Sequence, residues 1–277
     1  MRITVRELQN PKEFESAEEV QMSAWGMGPR GAAPKEVMIA INDNGGLVLG
    51  AFDGKKMVGF ALTLVGHMEG EVYMYSHMTG VVKEYQSRGV GYLIKQKQRE
   101  LSLKRGFTFI AWTFDPIIAR NAYFNFNKLG VVARNYLVDY YGPMNDSINA
   151  GWPTDRFLCE WFIEPAKLKT IKSYSRAPLR DAPVLIDKRG SGQEALCRDW
   201  RIDIGAERAL VDIPSDVVAL KLKHPEEGRR WREATREIFK AYFAAGYSAV
   251  ALLEKEDGLQ YLLTKAELPP NIFAGHR

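Results

Sequence analysis

Hydrophobic and polar residues follow one another along the first half of the chain in a pattern that predicts a strand, two helices and then three strands. The first strand is expected at residues 2–6, one helix runs from Pro11 to residue 25, and a second ends before Gly45. Three extended apolar runs come next, at residues 47–52, 57–65 and 72–82. Because only short glycine-bearing turns separate these runs, they predict an antiparallel meander.

The pattern continues with alternating helices and strands up to about residue 165. A helix with one apolar face ends at Gly106. The later elements are a strand, a helix and two further strands, which are expected at residues 107–114, 119–129, 131–140 and 156–163. The predicted order is therefore β-α-α-β-β-β-α-β-α-β-β.

The last third of the chain predicts a smaller unit. Residues 166–205 are rich in Lys, Ser, Pro and Gly and are expected to form a linker or an extended packing arm. Residues 206–277 predict a small α/β domain, with a strand, a helical turn capped by Ser215, a strongly amphipathic helix and a hairpin that turns at residues 257–258. We therefore expect one domain at residues 1–165 and a smaller one at the C-terminal end.

The composition of the 277-residue chain narrows the classes of function. The net charge is only +4, and acidic residues interleave with the basic ones of the densest charged segment, so we do not expect nucleic acid as a partner. No apolar run is long enough to span a membrane, and the N-terminus lacks the pattern of a signal peptide. Two cysteines without CxxC spacing and four scattered histidines predict neither a disulfide framework nor a metal site. A cytoplasmic protein without a metal or membrane partner is expected.

The strongest chemical signal lies at residues 80–91, where the third apolar run ends. An extended segment leads into a short polar turn, which ends in Gly89-Val90-Gly91 and opens a helix. Backbone N–H groups of the turn and of the first helical turn converge on one point, with the positive end of the helix dipole behind them. The two glycines let an anion approach the backbone, and Arg88 adds a fixed cation. The arrangement predicts a loop that binds the pyrophosphate of a cofactor; an ordinary turn is the alternative.

Spacing distinguishes between the known phosphate-binding motifs. The dinucleotide motif GxGxxG requires a third glycine where this chain has Ile94, and the Walker motif requires Gly-Lys where it has Gly91-Tyr92. Residues 86–91 instead match the signature Q/RxxGxG/A, and with the order of elements around it the chain resembles the GNAT superfamily of N-acetyltransferases. The resemblance covers about residues 1–165. It implies an α+β fold, with a mixed, mostly antiparallel central sheet flanked by helices, followed here by the smaller α/β unit.

The GNAT resemblance implies acetyl-CoA or succinyl-CoA as the acyl donor. The strand before the loop would pair its backbone with the pantetheine arm, and one of its N–H groups would polarise the thioester. A later helix would contact the pantetheine amides. The resemblance thus implies donor-binding positions at Thr79, Gly80, Val81, Gln86, Ser87, Arg88, Gly89, Val90, Gly91 and Asn121.

Candidate catalytic residues lie on the same strand. Its alternation places Tyr73, Tyr75, His77 and Thr79 on one face, which would form a wall of the acceptor site. His77 lies where some amine acetyltransferases of the family have a histidine, and an imidazole with a pKa of about 6.5 could take the proton of an ammonium ion. A hydrogen-bonded structural histidine is the alternative. Tyr75 occupies the position of the catalytic glutamate of histone-type members, which argues against a histone-like mechanism.

The expected general acid is missing from its usual position. Many family members have a tyrosine in a YxKxG motif, but the matching residues here begin with Phe126 and end with Gly130. Tyr123, one turn earlier, is the replacement candidate. Otherwise solvent protonates the leaving thiolate, whose ordinary pKa is about 8.5. Since Cys159 lies on the last strand of the predicted domain, no cysteine favours an acyl-enzyme, and direct transfer in a ternary complex is expected.

A narrower resemblance extends over most of the chain. It is to a little-characterised GNAT subgroup with a C-terminal extension, linked to N-acylation, including N-succinylation, of amino acids. The residues that carry it are 112–116, 120–122, 127–130, 140–142 and 154–156. A carboxylate on the acceptor or on the acyl group should meet an arginine in bidentate geometry, and the candidates are Arg30, Arg134 and Arg156.

The expected function is an acyl-CoA-dependent N-acyltransferase for a small amine or an amino acid. Two alternatives stay open. The first is a non-catalytic module that senses acyl-CoA and binds a partner through its C-terminal unit, which the missing tyrosine favours. The second is a protein-lysine acetyltransferase. The chain could also form a homodimer.

Overall fold

The computed structural model describes residues 2–144, 151–174, 179, 181–256 and 258–275. Packing divides these residues into two compact units. The N-terminal unit holds the described residues up to Trp112, and the C-terminal unit holds those from Thr113 onward. The division after Trp112 differs from the predicted domain boundary at residue 165. The predicted domain boundaries therefore stay a prediction.

The N-terminal unit is built on a mixed sheet. Its strands are β1 (Ile3–Glu7), β2 (Leu47–Asp53), β3 (Lys56–Met68), β4 (Glu71–Val81) and β5 (Phe109–Phe114), which contains the boundary between the units. They pair in this order; the pairs from β1 to β4 are antiparallel, and β4 and β5 are parallel. The predicted antiparallel meander is therefore confirmed.

Three helices pack on this sheet, and their ends follow the local sequence. They are α1 (Pro11–Trp25), α2 (Lys35–Asp43) and α3 (Val90–Lys104). The Asn10 side chain accepts a hydrogen bond from Glu13 N at 3.2 Å and caps the start of α1. Gly26 ends the same helix in the left-handed conformation, with φ of +65°.

Helices α1 and α3 lie on opposite faces of the sheet. Gly59 and Phe60 are neighbours on β3, so they face opposite ways. A Cβ at Gly59 would lie 3.0 Å from Ile94 Cδ1 of α3. The ring of Phe60 packs edge-on against Trp25 of α1, with 6.0 Å between ring centroids. The core of the unit thus has two layers, one on each side of β3 and β4.

The C-terminal unit contains five further paired strands and a separate hairpin. Its elements are α4 (Ala119–Tyr123), β6 (Val132–Leu137), β7 (Arg156–Phe162), α5 (Pro165–Ser173), β8 (Ile186–Arg189), β9 (Leu196–Trp200), β10 (Arg208–Ile213), α6 (Val217–Lys223), α7 (Pro225–Ala244), β11 (Ser248–Lys255) and β12 (Gly258–Thr264). Strands β7, β6, β11, β12 and β10 are antiparallel neighbours in that order, and β8 pairs with β9 separately. The three C-terminal strands therefore continue the sheet of β6 and β7. The α+β class with mostly antiparallel sheets and flanking helices is confirmed.

Two local predictions in this unit are corrected. The segment 166–205, expected as a linker or extended arm, holds most of α5 and the hairpin β8–β9. Helix α6 is capped by Asp216, whose carboxylate accepts a hydrogen bond from Ala219 N at 3.0 Å, and not by Ser215. The predicted hairpin joins β11 and β12, but Asp257 of its turn lies outside the described residues.

Helix α7 supplies much of the core of the C-terminal unit. Phe239 packs against Phe157 and Tyr261, with ring centroids 4.6 and 5.3 Å apart, as its predicted apolar face requires. The opposite face is charged, which is typical of an amphipathic helix. Within the described ranges, neither α7 nor any other helix combines the length and apolar character of a membrane span.

Helix α4 ends in a wider turn that the sequence pattern did not predict. The π-helical residues Phe124–Leu129 interrupt the expected continuous helix after Tyr123, and Gly130 N donates to Asn125 O at 3.0 Å. A π turn adds a residue to the helical repeat, so the side chains beyond it are rotated from their α-helical positions. Gly130 then ends the turn with φ of +79°.

Candidate active site

Strand β4 contains a β-bulge at one of the predicted catalytic residues. On β3, Leu62 pairs with Met78, and the next residue, Thr63, pairs with Ser76. His77 is therefore the extra residue on β4. A bulge interrupts the alternation of a strand and redirects the side chain that it carries.

The bulge divides the predicted polar face of β4. Tyr75 pairs with Leu64, whereas Thr79 pairs with Ala61, and these two partners lie on opposite faces of β3. The prediction that Thr79 shares a face with Tyr75 is therefore wrong. The Thr79 hydroxyl is buried and has no hydrogen-bond partner among the described residues. The predicted donor-binding role of Thr79 depends on its main chain. The change of face of its side chain therefore does not argue against that role.

Tyr75 and His77 lie side by side at the bulge. Their ring centroids are 6.4 Å apart, with an interplanar angle of 28°. The His77 side chain is exposed, yet the protein around it removes part of its hydration, and this lowers the pKa of His77 from its ordinary value. Its imidazole is thus neutral at neutral pH. Tyr73, in contrast, is buried and stacks on Phe109 with 5.3 Å between centroids, so it belongs to the packed interior.

Strands β4 and β5 separate just before the bulge. Their parallel pairing comprises Met74 with Ile110 and Tyr75 with Ala111, whereas the pairing of β4 with β3 continues to Val81. Beyond Tyr75, the edge of β4 that faces β5 has no registered strand pair among the described residues. Such an edge can bind an extended ligand through main-chain hydrogen bonds. All three strand positions predicted to bind pantetheine lie on this segment.

Gly80 has a packing reason to be a glycine. A Cβ there would lie only 2.9 Å from Trp25 Cη2, so the end of α1 occupies this space. The β-bulge of this strand lies at His77 and not at Gly80. The contact also places the start of the α1–α2 connection beside β4. That connection holds Arg30, exposed in the short 3₁₀ turn Pro29–Gly31.

The predicted anion loop has a backbone suited to binding. After a 3₁₀ turn (Lys83–Tyr85), the Gln86 side chain donates from Nε2 to Val81 O at 3.0 Å and ties the loop to the end of β4. Ser87 and Gly89 both have positive φ, +60° and +82°. Helix α3 begins directly after Gly89 without a side-chain cap. Its first-turn N–H groups are therefore available to an anion. The glycine pattern did not predict the left-handed conformation of Ser87.

The two glycines leave space for a ligand. A Cβ at Gly89 would meet no atom within 4 Å, and one at Gly91 would only touch Val81 Cγ2 at 3.9 Å. Positive φ explains glycine at position 89. At position 91, neither the backbone φ nor the packing of the protein requires a glycine. A ligand in contact with the backbone there would require one. The loop therefore fits a diphosphate group.

Two cations lie next to the loop, on one tyrosine ring. Arg88 Cζ and Lys56 Nζ are 5.8 and 5.9 Å from the ring centroid of Tyr85. The Tyr85 hydroxyl donates to Asp53 Oδ2 at 2.9 Å, and this hydrogen bond raises the pKa of Tyr85. Arg88 was expected at the loop. Lys56 was not, because the β2–β3 turn brings it there and no local motif marks it.

Three predicted positions on α4 and its π turn belong to the C-terminal unit. Asn121 is exposed and Tyr123 is half-buried. Phe126 is buried and packs edge-on against Phe114 and Tyr261, with ring centroids 6.3 and 5.3 Å apart. A tyrosine at this position would place its hydroxyl in an aromatic core. Packing therefore favours an apolar ring at this position.

Arg134 is held by an ion pair within the C-terminal unit. Its Nε and Nη2 donate to the two carboxylate oxygens of Glu160, each at 2.7 Å, and Nη1 donates to Pro269 O at 2.7 Å. Burial raises the pKa of Glu160 above its ordinary value, although the pairing with Arg134 acts against this. The guanidinium of Arg134 fixes the C-terminal segment to β6. Because its N–H groups are engaged in this way, we do not propose Arg134 as an acceptor-binding residue.

Arg156 is also engaged inside the C-terminal unit. It is buried, and its Nη1 donates to Asp155 O at 2.9 Å and lies 3.8 Å from Asp115 Oδ2. The guanidinium lies 5.4 Å from the ring centroid of Tyr141. Of the three candidate arginines, Arg30 is the exposed one and the one in the unit that carries the bulge and the loop.

Two arginine–aspartate pairs that the sequence analysis did not predict stabilise the C-terminal unit. Arg232 contacts both oxygens of Asp115 at 2.8 and 2.5 Å, and Arg236 contacts both oxygens of Asp155 at 2.8 Å. Tyr136 also donates to Asp155, at 2.6 Å. Burial acts to raise the pKa of Asp155, but the hydrogen bonds from Arg236 and Tyr136 outweigh it and hold this pKa below its usual value. Arg232 is buried, whereas Arg229 and Arg230 of the same helix are exposed.

A cavity of about 540 Å³ lies elsewhere in the C-terminal unit. Its lining includes Asp187, Lys188, Trp200, Asp212 and Gln260. It contains none of the predicted site residues. The candidate site of the N-terminal unit, in contrast, is an open strand edge and loop.

Comparison with known proteins gives a likeness of fold. No family model and no curated protein sequence matches the chain. Among solved structures, it is similar to the ribosomal-protein-S18-alanine N-acetyltransferase of Escherichia coli, at 16% identity and a TM-score of 0.48, over 59% of this chain and 95% of that one. A putative GNAT acetyltransferase of Desulfovibrio desulfuricans (16% identity, TM-score 0.47, 59% and 100% coverage) and aminoglycoside 6'-acetyltransferase type Ii (17%, 0.47, 58% and 98%) are similar to the same extent.

Proposed function

We propose that the chain is an acyl-CoA-dependent N-acyltransferase, which transfers an acetyl or succinyl group to the amino group of a small molecule or an amino acid. The observation that carries the proposal is the continuous path from the bulge at His77, along the open edge of β4, to the uncapped N-terminus of α3. One end offers main-chain hydrogen bonds to an extended ligand, and the other offers N–H groups to an anion. An acyl-pantetheine arm joined to a diphosphate has its groups in this order.

The donor-binding part of the proposal assigns a role to each segment. The main chain of Thr79, Gly80 and Val81 pairs with the pantetheine arm. The loop then holds the diphosphate: Gln86 fixes it to the strand, Ser87 and Gly89 turn the backbone, Arg88 adds positive charge, and Val90 and Gly91 offer N–H groups. Asn121 remains a proposed contact for the pantetheine amides.

The chemistry proceeds by direct attack. The acceptor amine nitrogen adds to the thioester carbonyl carbon, the carbon–sulfur bond breaks, and the amide forms. His77 accepts the proton that the acceptor ammonium must lose, and the adjacent ring of Tyr75 borders the acceptor. Tyr123 or solvent returns a proton to the leaving thiolate. A main-chain N–H next to the bulge polarises the carbonyl oxygen.

Arg30 is our proposed partner for a carboxylate on the acceptor or the acyl group. It is exposed on the α1–α2 connection, which starts where Trp25 packs on Gly80. A guanidinium binds a carboxylate through two parallel hydrogen bonds, which would favour amino acids over simple amines. Substitution of Arg30 by Gln should raise the KM for a carboxylate-bearing substrate and leave that for a simple amine unchanged.

The direct test is thiol release from acetyl-CoA and succinyl-CoA across a panel of amino acids, simple amines and lysine peptides. The proposal expects release that depends on a small amine or amino acid. A response to the lysine peptides alone would support protein-lysine acetylation instead. Product mass then identifies the acyl group and the acceptor nitrogen.

The burial of Phe126 favours one second candidate, a non-catalytic module that binds acyl-CoA. The ring of Phe126 has no hydroxyl to protonate the leaving thiolate, and its packing in the aromatic core leaves no place for one. The same thiol-release assay, combined with calorimetric titration of CoA, separates the two functions. Tight CoA binding without thiol release for any acceptor would favour the module and contradict the enzyme.

A further inference from the structure

A buried polar cluster lies beneath the bulge of β4, on the face covered by α3. Lys95 Nζ donates to Ser76 Oγ at 2.7 Å and to Gln98 Oε1 at 3.1 Å. Gln98 Nε2 donates in turn to Thr63 Oγ1 at 2.6 Å. We call these four residues the bulge cluster; all are at most 4% exposed.

The bulge cluster holds the strand pair at which the register changes. Thr63 and Ser76 face each other across β3 and β4, and His77 follows immediately as the extra residue. The hydroxyl groups of both are hydrogen-bonded to side chains of α3. The helix is thus tied to the bulge from both strands.

Stability is a poor explanation for a lysine at this position. Burial of an ammonium group is costly unless hydrogen bonds compensate, and well-packed apolar residues often stabilise a core equally well. Lys95 Nζ also lies 3.9 Å from the ring centroid of Trp112, so it has a cation–π contact besides its hydrogen bonds. The ammonium therefore occupies a defined position next to Ser76.

We propose that the bulge cluster positions the acyl-transfer centre, by fixing the bulge at His77 relative to the N-terminus of α3. This rests on the proposed function. Lys95 lies on the helix whose first turn offers the diphosphate site. Because an α-helix has a fixed rise per residue, a contact that fixes Lys95 also fixes the position of that first turn. The Lys95–Ser76 hydrogen bond thus sets the distance between the anion site and the bulge. Lys95 and Ser76 are positioning residues that act through β4.

The first test compares turnover with donor affinity in Ser76→Ala and Lys95→Met. Loss of position at the reacting centre should lower kcat about 10- to 100-fold, because a displacement of about 1 Å costs this order of rate. The Kd for CoA should change less than about threefold, since the diphosphate loop is untouched. A purely structural cluster would lower the melting temperature and leave kcat unchanged.

The second test needs neither ligand nor activity. Amide hydrogen exchange at His77 and Met78 should be at least about tenfold faster in both variants than in the natural chain, because the bulge would open locally. The ring resonances of His77 in NMR spectra should also shift. These readouts report on the cluster even if the acyltransferase proposal fails.

Two control variants on α3 separate positioning from general destabilisation. Ser102→Ala removes a buried hydroxyl that has no hydrogen-bond partner among the described residues. Ile94→Val removes a methyl group that packs near Gly59. Neither should change exchange at the bulge or kcat. The inference would be overturned if Ser76→Ala and Lys95→Met changed neither the amide exchange at the bulge nor the ring resonances of His77. If the natural chain released no thiol, only the proposed function would be contradicted.

Discussion

His77 combines the properties that a general base for an ammonium acceptor needs. The bulge directs it away from the regular alternation of β4, and its side chain is exposed. The surrounding protein removes part of its hydration and so lowers its pKa, which leaves the imidazole neutral at neutral pH. The ring of Tyr75 lies beside it, with 6.4 Å between the ring centroids. The sequence pattern predicted that His77 lies on the strand before the loop. It could not predict the bulge, because the register shift depends on how β4 pairs with β3 and on side-chain contacts of both strands with α3, which no local motif marks.

The pH dependence of turnover tests the role of His77. Because its pKa lies below the ordinary 6.5 or so, the natural chain should keep its activity into mildly acidic solution and lose it as the imidazole becomes protonated. His77→Ala should lower kcat by about 100-fold or more at neutral pH and recover activity only as the pH approaches the acceptor's amine pKa. Its CoA affinity should not change.

His67→Ala is the matched control for this experiment. His67 is an exposed histidine on β3 of the same unit, and it has no assigned role. This variant should keep both the rate and the pH profile of the natural chain. An identical pH profile for His77→Ala would remove His77 from the mechanism.

At the scale of elements, β4, the loop and α3 act together. The strand gives an open edge, Ser87 and Gly89 turn the backbone, and the helix starts without a cap. The spacing of the glycines was enough to predict the turn and the start of the helix, because both depend on residues close in sequence. It did not predict the left-handed conformation of Ser87 or the open edge of β4. The π turn after Tyr123 was not predictable in the same way, since side-chain periodicity is nearly the same for α and π turns over so few residues.

Gly91→Ala tests the element directly, because it separates ligand binding from folding. Alanine is a better helix former than glycine, by about 0.5–1 kcal/mol in a helix interior and by less in the first turn, where Gly91 lies. The added Cβ would meet only Val81 Cγ2 at 3.9 Å. The melting temperature should therefore stay equal or rise. The methyl group should nevertheless hinder the diphosphate and weaken CoA binding about tenfold, or about 1.4 kcal/mol. Unchanged affinity, measured by calorimetry, would mean that the ligand does not contact this backbone.

At the scale of the whole chain, the second unit contributes buried ion pairs and an aromatic core. Arg232 and Arg236 are four residues apart and so lie on one side of α7, where they meet Asp115 and Asp155. The sequence indicated an amphipathic helix but not these pairs. A helical repeat alone cannot show which charged side chains find a buried partner from another part of the chain.

Arg232→Met should be the most destabilising change in this network. It would leave the carboxylate of Asp115 buried without its bidentate partner, at a cost of about 3–5 kcal/mol. Arg236→Met should cost less, because that side chain is 30% exposed and water can replace part of the interaction. Urea denaturation measures both values. Adding Asp115→Asn to Arg232→Met should recover part of the loss, and equal losses for the two single variants would contradict this order.

Calorimetric titration of CoA into the natural chain, Gly89→Glu and Gly106→Glu tests the central claim most directly. Gly89 and Gly106 lie at opposite ends of α3 with φ of +82° and +85°, and a Cβ at either meets no atom within 4 Å, so both variants introduce the same strain and the same charge. We predict that the natural chain and Gly106→Glu bind CoA with affinities within about threefold of each other. Gly89→Glu should lose at least about 100-fold, or about 2.7 kcal/mol. Equal affinities in all three, or no binding to the natural chain, would contradict the assignment of this loop to the CoA diphosphate.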